Sequence, residues 1–283
     1  MSYLTLDPKE TPTLQLHAYL QGAIAPRPIA FASTVDKNGI VNLSPFSFFN
    51  LFSTKPPILI FSPARRVRDN TVKHTLENVS EVPEVVINIV NYNMVEQTSL
   101  ASCEYPKGVN EFVKSGFTEL KSIKVKPPRV AESPASFECK VNQVISLGDE
   151  GGAGSLIVCE ILLAHFHESI LDPSKNIDPH KLDAVARMGG DFYCRAHGDN
   201  IFTVPKPNTK LGIGFDQLPE KVRNSKILSG NDLARLANVE KLPGSESAVI
   251  VNSKDEESRH LLTKKLLAEG KVEEAWRVLL QNS

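Results

Sequence analysis

The chain has 283 residues, a formal net charge of −1, 41% hydrophobic residues and 23% charged residues, which is the composition of a water-soluble globular protein. The balanced charge argues against a nucleic-acid partner, because nucleic-acid-binding proteins usually carry a basic surplus. No apolar run approaches the ~18 residues of a membrane span and the first residues lack the build of a signal peptide, so we expect a cytoplasmic protein without membrane association.

The first half of the chain predicts short strands joined by tight turns. A hairpin is expected at Asp36-Lys37-Asn38-Gly39, because Asn-Gly tolerates the positive φ angles of a tight turn. Apolar residues recur with helical spacing after Asp69, a suitable N-cap, and therefore predict a helix over residues 69–79. Strands are predicted over residues 28–35, 40–43, 57–62 and 85–90, and further helices over 14–20 and 95–101.

Two longer strands are predicted in the second half, over residues 136–147 and 155–166. The connector between them is rich in glycine, which indicates a hairpin loop. Strands joined by short loops favour an antiparallel sheet that is closed or nearly closed over a doubly wound fold. The sequence therefore predicts a mainly β fold with peripheral helices.

The chain changes character after residue 205. We predict a β domain over residues 1–205 and a helical C-terminal extension over residues 206–283, with a linker at Lys206-Pro207-Asn208. The two parts differ in their periodicity, which is that of strands before the linker and that of helices after it.

Helix signals mark the C-terminal extension. One helix is expected to begin near Ser229, from its Ser-x-x-Asp pattern, and another near Ser253, from a capping box that ends at Glu256. Gly270 separates two segments of helical spacing, the second of which contains Trp276.

Several motifs that often carry chemistry are weak in this chain. Residues 148–154 lack the Gly-Lys-Ser/Thr ending of a phosphate-binding loop, so a hairpin loop is the better interpretation. His165 and His167 share one face of a predicted strand without a third ligand at fitting spacing, which favours hydrogen bonding over a metal. Cys139 and Cys159 lie in apolar runs and are expected to be buried. With no G-x-S-x-G motif either, we assign no catalytic side chain and no metal site.

Two segments carry an unusual density of polar and cationic groups. Residues 42–50 mix hydroxyl and amide groups with aromatic rings, which a planar heterocycle needs, although loops are often polar without a functional reason. Arg65, Arg66 and Arg68 precede the predicted helix, where cations are unfavourable unless they face an anion. These arginines indicate either a phosphate site at the helix start or a solvated surface.

An ordered series of short motifs gives the chain a family resemblance. It consists of Pro26-Arg27-Pro28-Ile29, Ser33-Thr34, Asn38-Gly39, Asn42-Leu43-Ser44-Pro45-Phe46-Ser47, Pro56-Pro57, Phe61-Ser62, Arg68-Asp69-Asn70-Thr71, Asn88, Glu111-Phe112, and Arg187-Met188-Gly189-Gly190 with Tyr193. Over residues 20–200 this series resembles the flavin reductase-like family, whose members have an FMN-binding split barrel. The tail beyond residue 205 lies outside the resemblance.

The resemblance implies an antiparallel split β-barrel that binds FMN near the interface of a homodimer. By analogy, the residues around the flavin ring and ribityl chain would be Thr34, Asn42, Leu43, Ser44, Pro45, Phe46 and Ser47. Those near the ribityl and phosphate would be Ser62, Arg66, Arg68, Asp69, Asn70 and Thr71. Arg68 is favoured for the phosphate charge, with Arg65 and Arg66 left open. The position of the family's threonine is open between Asn70 and Thr71.

The implied activity is that of an FMN-dependent oxidoreductase, in which a hydride passes from NAD(P)H to bound flavin and electrons pass on to a small-molecule acceptor. Such a step needs no side-chain acid or base, which agrees with the absence of a candidate catalytic residue. The alternative is a non-catalytic flavin-binding protein or electron carrier, similar to flavoredoxin. A related split barrel that binds haem or pyridoxal phosphate is a third hypothesis.

Overall fold

The computed structural model describes residues 1–205, 211–243 and 255–280. The chain divides into two compact units, Met1–Phe202 and Thr203–Ser283, and each has an apolar core of its own. The predicted linker at Lys206-Pro207-Asn208 lies outside the described residues, and a domain boundary at residue 205 stays a prediction.

The first unit is built mainly from β-strands. They are β1 (Ala30–Val35), β2 (Val41–Phe46), β3 (Phe49–Thr54), β4 (Pro57–Phe61), β5 (Glu84–Ile89), β6 (Glu119–Leu120), β7 (Arg129–Val130), β8 (Ala135–Ser146), β9 (Ser155–Phe166), β10 (Val185–Arg187) and β11 (Tyr193–Arg195). Among the described residues, seven of them form one sheet in the order β2-β1-β5-β8-β9-β4-β3. Each neighbouring pair in it is antiparallel, so the predicted antiparallel sheet is confirmed.

The chain itself brings the two ends of this sheet together. The edge strands β2 and β3 are separated by Ser47 and Phe48 alone. So short a connection spans about 11 Å at most, and the sheet must curl until its edges almost meet. The ring of Phe46 on β2 lies 5.3 Å from the ring of Phe61 on β4, and both side chains are buried in one interior cluster. The fold is therefore a split β-barrel.

The barrel interior contains the two cysteines that were expected to be buried. Cys139 on β8 and Cys159 on β9 are fully buried in the interior cluster. Burial raises the pKa of the Cys139 thiol to about 12 and that of Cys159 well above its usual value. Both thiols stay protonated near neutral pH and act as small apolar side chains.

The helices of the first unit are short and peripheral. They are α1 (Thr13–Ala23), α2 (His74–Glu81), α3 (Val95–Leu100), α4 (Glu111–Ser115) and α5 (Pro179–Leu182). The prediction of a helix over residues 69–79 is wrong at its start. Asp69 does not cap a helix: its Oδ1 accepts the N–H of Thr71 at 3.0 Å, and Asn70 has a left-handed φ of 55°. The chain turns here, and α2 begins only after Lys73.

Two differences from the sequence prediction concern the strands. The strand predicted over residues 40–43 continues to Phe46 as β2, so residues 44–46 are strand rather than loop, and β3 was not predicted. β3 is an edge strand with exposed apolar side chains, including Leu51 and Phe52. The register between β3 and β4 shifts between Leu51 and Ser53, and the side chains of β3 do not alternate between buried and exposed. The alternation from which a strand is usually predicted is therefore missing.

The β8–β9 hairpin is confirmed, and its histidines make separate hydrogen bonds. His165 Nε2 lies 2.7 Å from Oε1 of the fully buried Glu138. His167 Nδ1 lies 2.7 Å from the hydroxyl of Ser169. The interpretation of this pair as hydrogen-bonding residues at a strand end is confirmed.

The second unit is helical. Its helices are α6 (Glu220–Arg223), α7 (Gly230–Ala237), α8 (Glu256–Ala268) and α9 (Val272–Leu279). Ser229 and Asp232 form the expected capping box of α7. The N-cap of α8 is Asp255, whereas the predicted cap, Ser253, lies outside the described residues. Trp276 is fully buried within the unit and donates from Nε1 to the Leu236 carbonyl at 3.0 Å.

In the part of the chain that the structure describes, no helix has both the length and the apolar character needed to span a bilayer.

Candidate functional site

The strand side of the candidate site is residues 42–47, which lie on β2 and at the turn after it. Leu43 and Phe46 point into apolar cores. Ser44, Pro45 and Ser47 stay partly exposed. The accessible part of the predicted ring-binding segment is therefore these three residues and their backbone.

A buried carboxylate fixes the strand side. Glu111, at the start of α4, is only 4% exposed. Its Oε1 accepts the side-chain amide of Asn42 at 2.9 Å, and its Oε2 accepts the N–H of Leu43 at 2.9 Å. The Thr75 hydroxyl donates to Oδ1 of Asn42 at 2.8 Å. Burial raises the pKa of Glu111, against the opposing effect of these hydrogen bonds.

Thr34 lies behind β2 rather than at the surface. It is fully buried on β1, and its hydroxyl accepts a hydrogen bond from the Asn78 side chain on α2 at 3.1 Å. This bond ties α2 to the barrel, so that Thr34 and Asn42 both set the position of that helix.

The loop side of the candidate site is residues 65–73, between β4 and α2. Its shape is set by local hydrogen bonds. Oδ1 of Asp69 accepts both the N–H and the hydroxyl of Thr71, at 3.0 and 2.6 Å. These bonds lower the pKa of Asp69 to about 2. Arg65 donates to the side chain and the carbonyl of Asn70, at 2.7 and 2.9 Å, which holds the left-handed turn closed.

The other two arginines share one carboxylate. Arg66 Nε lies 2.9 Å from Oε1 of Glu104, and Arg68 Nη2 lies 2.9 Å from Oε2. The Arg66 side chain is 15% exposed and also donates to Thr71 Oγ1 at 2.8 Å. The Arg68 side chain is 71% exposed. Arg66 is therefore held in place, whereas Arg68 lies at the surface.

Strand side and loop side meet in a small cavity of about 20 Å³. Of the predicted site residues, it brings together Asn42, Ser44 and Arg66. Glu111, which belongs to the motif series of the family resemblance, lines it as well. Its other lining residues were not among the predicted site residues; they are Lys73, His74, Thr75, Ala101, Ser102, Cys103, Glu104 and Tyr105. Ser47, Ser62, Arg68 and residues 69–71 are not among its lining residues.

The N-terminus of α2 provides hydrogen-bond donors beside this cavity. Among the described residues, no side chain caps the helix, and the first N–H groups of an α-helix lack intrahelical acceptors. Lys73 immediately precedes the helix, and burial followed by the nearby Arg66 lowers its pKa. Backbone donors and the Arg66 and Lys73 cations thus face one space, which the Glu104 and Glu111 carboxylates also line. The donors and cations of this lining are groups that suit an anion.

Ser47 lies in the connection between β2 and β3, and Ser62 follows β4 beside that connection. The Ser62 N–H donates to the Phe48 carbonyl at 2.8 Å. A Cβ on Gly154 would come within 2.6 Å of Ser62 Oγ, so any larger residue at position 154 would require the Ser62 side chain to shift. Arg27 Nε donates to Ser47 Oγ at 3.4 Å, and its Nη1 donates to the Ile24 carbonyl at 2.6 Å.

A larger groove lies elsewhere on the first unit. Its volume is about 610 Å³, and it runs between the β1–β2 hairpin and the segment before β7. Its charged lining residues are Asp36, Lys37, Glu119, Lys121 and Lys126, whose charges nearly balance. None of the predicted site residues lines it, so size alone does not identify the functional site here.

A family model described as "Flavin reductase like domain" matches residues 23–178. An uncharacterized protein of Aquifex aeolicus is 39% identical over 191 residues, which cover 68% of this chain and 95% of that protein.

Two solved structures are similar to most of this chain. Nitrilotriacetate monooxygenase component B from Bacillus cereus has a TM-score of 0.67 and 26% identity, covering 72% of this chain and all of that one. The 2-nitrobenzoate 2-nitroreductase of Pseudomonas fluorescens has a TM-score of 0.62 and 25% identity, covering 71% of this chain and 96% of that one.

Proposed function

Because the chain belongs to the flavin reductase-like family, we propose that it is an FMN-binding oxidoreductase that takes a hydride from NAD(P)H and passes electrons to a small-molecule acceptor. Family membership supports flavin binding and redox chemistry in general. The single observation that carries the more specific proposal is the cavity where the polar strand side meets an uncapped helix N-terminus and the Arg66 and Lys73 cations.

The donor set of this cavity fits a phosphate monoester. Arg66, Lys73 and the first N–H groups of α2 can donate to phosphate oxygens, and charged donors make the stronger hydrogen bonds. The Thr75 hydroxyl and Ser44 lie on the same lining. We therefore propose that the phosphate of FMN binds here, with Arg66 as its main guanidinium contact and Arg68 at the rim.

The strand side suits the flavin ring and ribityl chain. Ser44 and Ser47 provide hydroxyls beside the partly exposed Pro45, and β2 is fixed from behind by Glu111. When bound, FMN supplies the redox chemistry, namely acceptance of two electrons from NAD(P)H and their delivery to an acceptor. The contribution of this chain is to bind and orient the cofactor, and no side-chain acid or base is required of it.

We further propose a homodimer with FMN near the interface. A cavity of about 20 Å³ is far smaller than the roughly 300–1,000 Å³ of typical ligand pockets, so a second chain would complete the enclosure. The exposed edge strand β3, with Leu51 at 53% and Phe52 at 63% exposure, offers an apolar surface for this contact. We place the protein in the cytoplasm, where unpaired cysteines such as its four persist.

The alternative is a flavin-binding protein or electron carrier that does not turn over NAD(P)H. It uses the same cavity and differs only in its reaction with the nicotinamide donor. The chain's similarity to a monooxygenase component and to a nitroreductase favours the enzyme.

Spectroscopy of the purified full-length chain tests the proposal. We expect a yellow protein, or one that becomes yellow on addition of FMN. NADH or NADPH should bleach its flavin absorbance, and under air each bound flavin should pass through many cycles of reduction and reoxidation. Bleaching that occurs only with dithionite would support the electron carrier. A protein that stays colourless with FMN would rule out both, and sedimentation of the same sample reports the oligomeric state.

A further inference from the structure

Glu104 bridges the two arginines at the mouth of the candidate cavity. It lies in the segment between α3 and α4, 38 residues after Arg66 and 36 after Arg68. Each carboxylate oxygen meets a different guanidinium, both at 2.9 Å. This long-range bridge joins the loop side to a segment that lines the same cavity.

The bridge occupies the donors that a phosphate would use. Arg66 Nε and Arg68 Nη2 both point to Glu104. The neighbouring carboxylate, Asp69, already accepts two hydrogen bonds from Thr71, although it also touches Arg68 at 3.1 Å. Arg68, followed by Arg66, lowers the pKa of Glu104, so the bridging group is a carboxylate at neutral pH.

We propose that Glu104 is an internal competitor of the ligand's phosphate: its carboxylate holds Arg66 and Arg68 in place of that terminal phosphate and is exchanged for it on binding. This inference rests on the proposed function for the identity of the ligand as FMN. Only a ligand with an anionic end can make this exchange, because a neutral ligand end cannot replace a carboxylate between two guanidinium groups.

The exchange is physically accessible. The Glu104 side chain is 44% exposed, so its carboxylate is already partly hydrated and loses little on moving into water. The Arg68–Glu104 pair, with 71% and 44% of its side chains exposed, is of the solvent-exposed kind that is weak individually. A phosphate gains more, because it meets Lys73 and the N–H groups of α2 in addition to the guanidinium groups.

The consequence is a difference between phosphorylated and unphosphorylated flavins. FMN must displace Glu104, so the carboxylate competes with it. Riboflavin has no phosphate and leaves the bridge intact. Removal of the carboxylate is therefore expected to strengthen FMN binding and to leave riboflavin binding nearly unchanged.

The test measures dissociation constants for FMN and riboflavin with the full-length chain, its Glu104→Gln variant and a matched control. Glu96→Gln is that control, because it removes the same charge from an exposed position on the neighbouring helix α3. We expect Glu104→Gln to tighten FMN binding about threefold to thirtyfold, the range for two exposed ion pairs that no longer compete. Riboflavin should change less than about twofold, and Glu96→Gln should change neither.

Weaker FMN binding in Glu104→Gln would overturn the inference, since it would mean that Glu104 orients the arginines for the phosphate. Unchanged FMN binding would also overturn it, since it would mean that Glu104 does not compete with the phosphate. Equal tightening for riboflavin would overturn it as well. Glu104→Ala must act in the same direction as Glu104→Gln, because the effect comes from the lost carboxylate.

Inorganic phosphate separates this inference from the proposed function. If the wild-type chain binds no FMN, the proposed function fails. The exchange is then decided by phosphate titration, followed by NMR of the arginine side chains. Tighter phosphate binding by Glu104→Gln than by the wild type supports the exchange, and equal binding contradicts it.

Discussion

On the strand side of the candidate site a carboxylate that is only 4% exposed, Glu111, accepts two short hydrogen bonds from β2. On the loop side a carboxylate with 44% of its side chain exposed, Glu104, joins two arginines across the surface. Both acids hold one wall of the same cavity. They differ in what surrounds them, since one is enclosed by protein and the other is in contact with water.

This difference separates fixed geometry from exchangeable charge. A buried acceptor leaves unsatisfied donors when it is removed, and each such donor is costly. An exposed acceptor is readily replaced by water or by another anion. The strand side is thus prearranged before any ligand arrives, whereas the loop side can change partners.

Removal of the buried carboxylate gives the largest expected effect. Glu111→Ala leaves the Asn42 amide and the Leu43 N–H without their acceptor, which costs about 3 kcal/mol of unfolding free energy at roughly 1–3 kcal/mol per buried donor. Urea unfolding followed by methyl NMR signals of the barrel core measures this loss.

The matched control for that variant is Glu77→Ala. Glu77 pairs with Lys107 at 2.6 Å, with 36% and 55% of the side chains exposed, so its loss is expected to cost less than about 1 kcal/mol. Equal losses in the two variants would show that burial does not distinguish the two kinds of acid here.

Substitution of the arginines compares two positions within the loop side. Arg66→Gln is expected to weaken FMN binding about tenfold to a hundredfold, the scale of a hydrogen bond to a charged group. Arg68→Gln is expected to have a smaller effect, because its side chain is 71% exposed and does not line the cavity. Flavin fluorescence titration measures both.

Riboflavin is the control ligand for this pair, since it should bind each variant as it binds the wild type. A larger effect of Arg68→Gln than of Arg66→Gln would assign the phosphate contact to Arg68, the arginine that the sequence favoured.

The smallest expected effects are those of pH on stability. They have opposite signs on the strand side and the loop side of the candidate site. The raised pKa of Glu111 means that its contribution to stability is full below its unfolded pKa and is lost as pH rises through its folded pKa. The pKa of Asp69 falls from 3.8 to about 2. Its contribution is therefore present above pH 3.8 and is lost as pH falls through about 2.

Carboxyl ¹³C NMR titration measures both values. We expect Thr71→Val to move the pKa of Asp69 back toward 3.8, because Thr71 provides the main hydrogen bonds to it. Thr54→Val on β3 should leave it in place. An Asp69 that titrates near 3.8 in the wild type would show that the turn does not hold this carboxylate.

Much of the fold follows from local patterns in the sequence. The Asn38-Gly39 turn, the β8–β9 hairpin and the Ser229 cap each depend on residues that are neighbours along the chain. The start of α2 was misplaced because Asp69 has the chemistry of an N-cap, yet it uses its carboxylate in a turn with Thr71.

The candidate site was less accessible to sequence reasoning. Glu111 and Leu43 are 68 residues apart along the chain, and Glu104 and Arg66 are 38 residues apart. No local sequence pattern predicts hydrogen bonds between residues so far apart. Lys73 and Thr75 could have been found, since they stand directly before the apolar spacing of Leu76 and Val79. Their importance depends on where the helix begins, which the structure supplies.

The position of β2 at the edge of the sheet has a consequence for aggregation. Every second N–H of β2 points away from β1, its neighbour in the sheet. On that outer side the Leu43 N–H is occupied by Glu111, and Pro45, two residues further on, has no N–H to offer. A strand from another molecule therefore cannot form consecutive hydrogen bonds with the N–H groups on the outer side of β2. Residues on the strand side of the candidate site thus also protect the open seam of the barrel against intermolecular β-pairing.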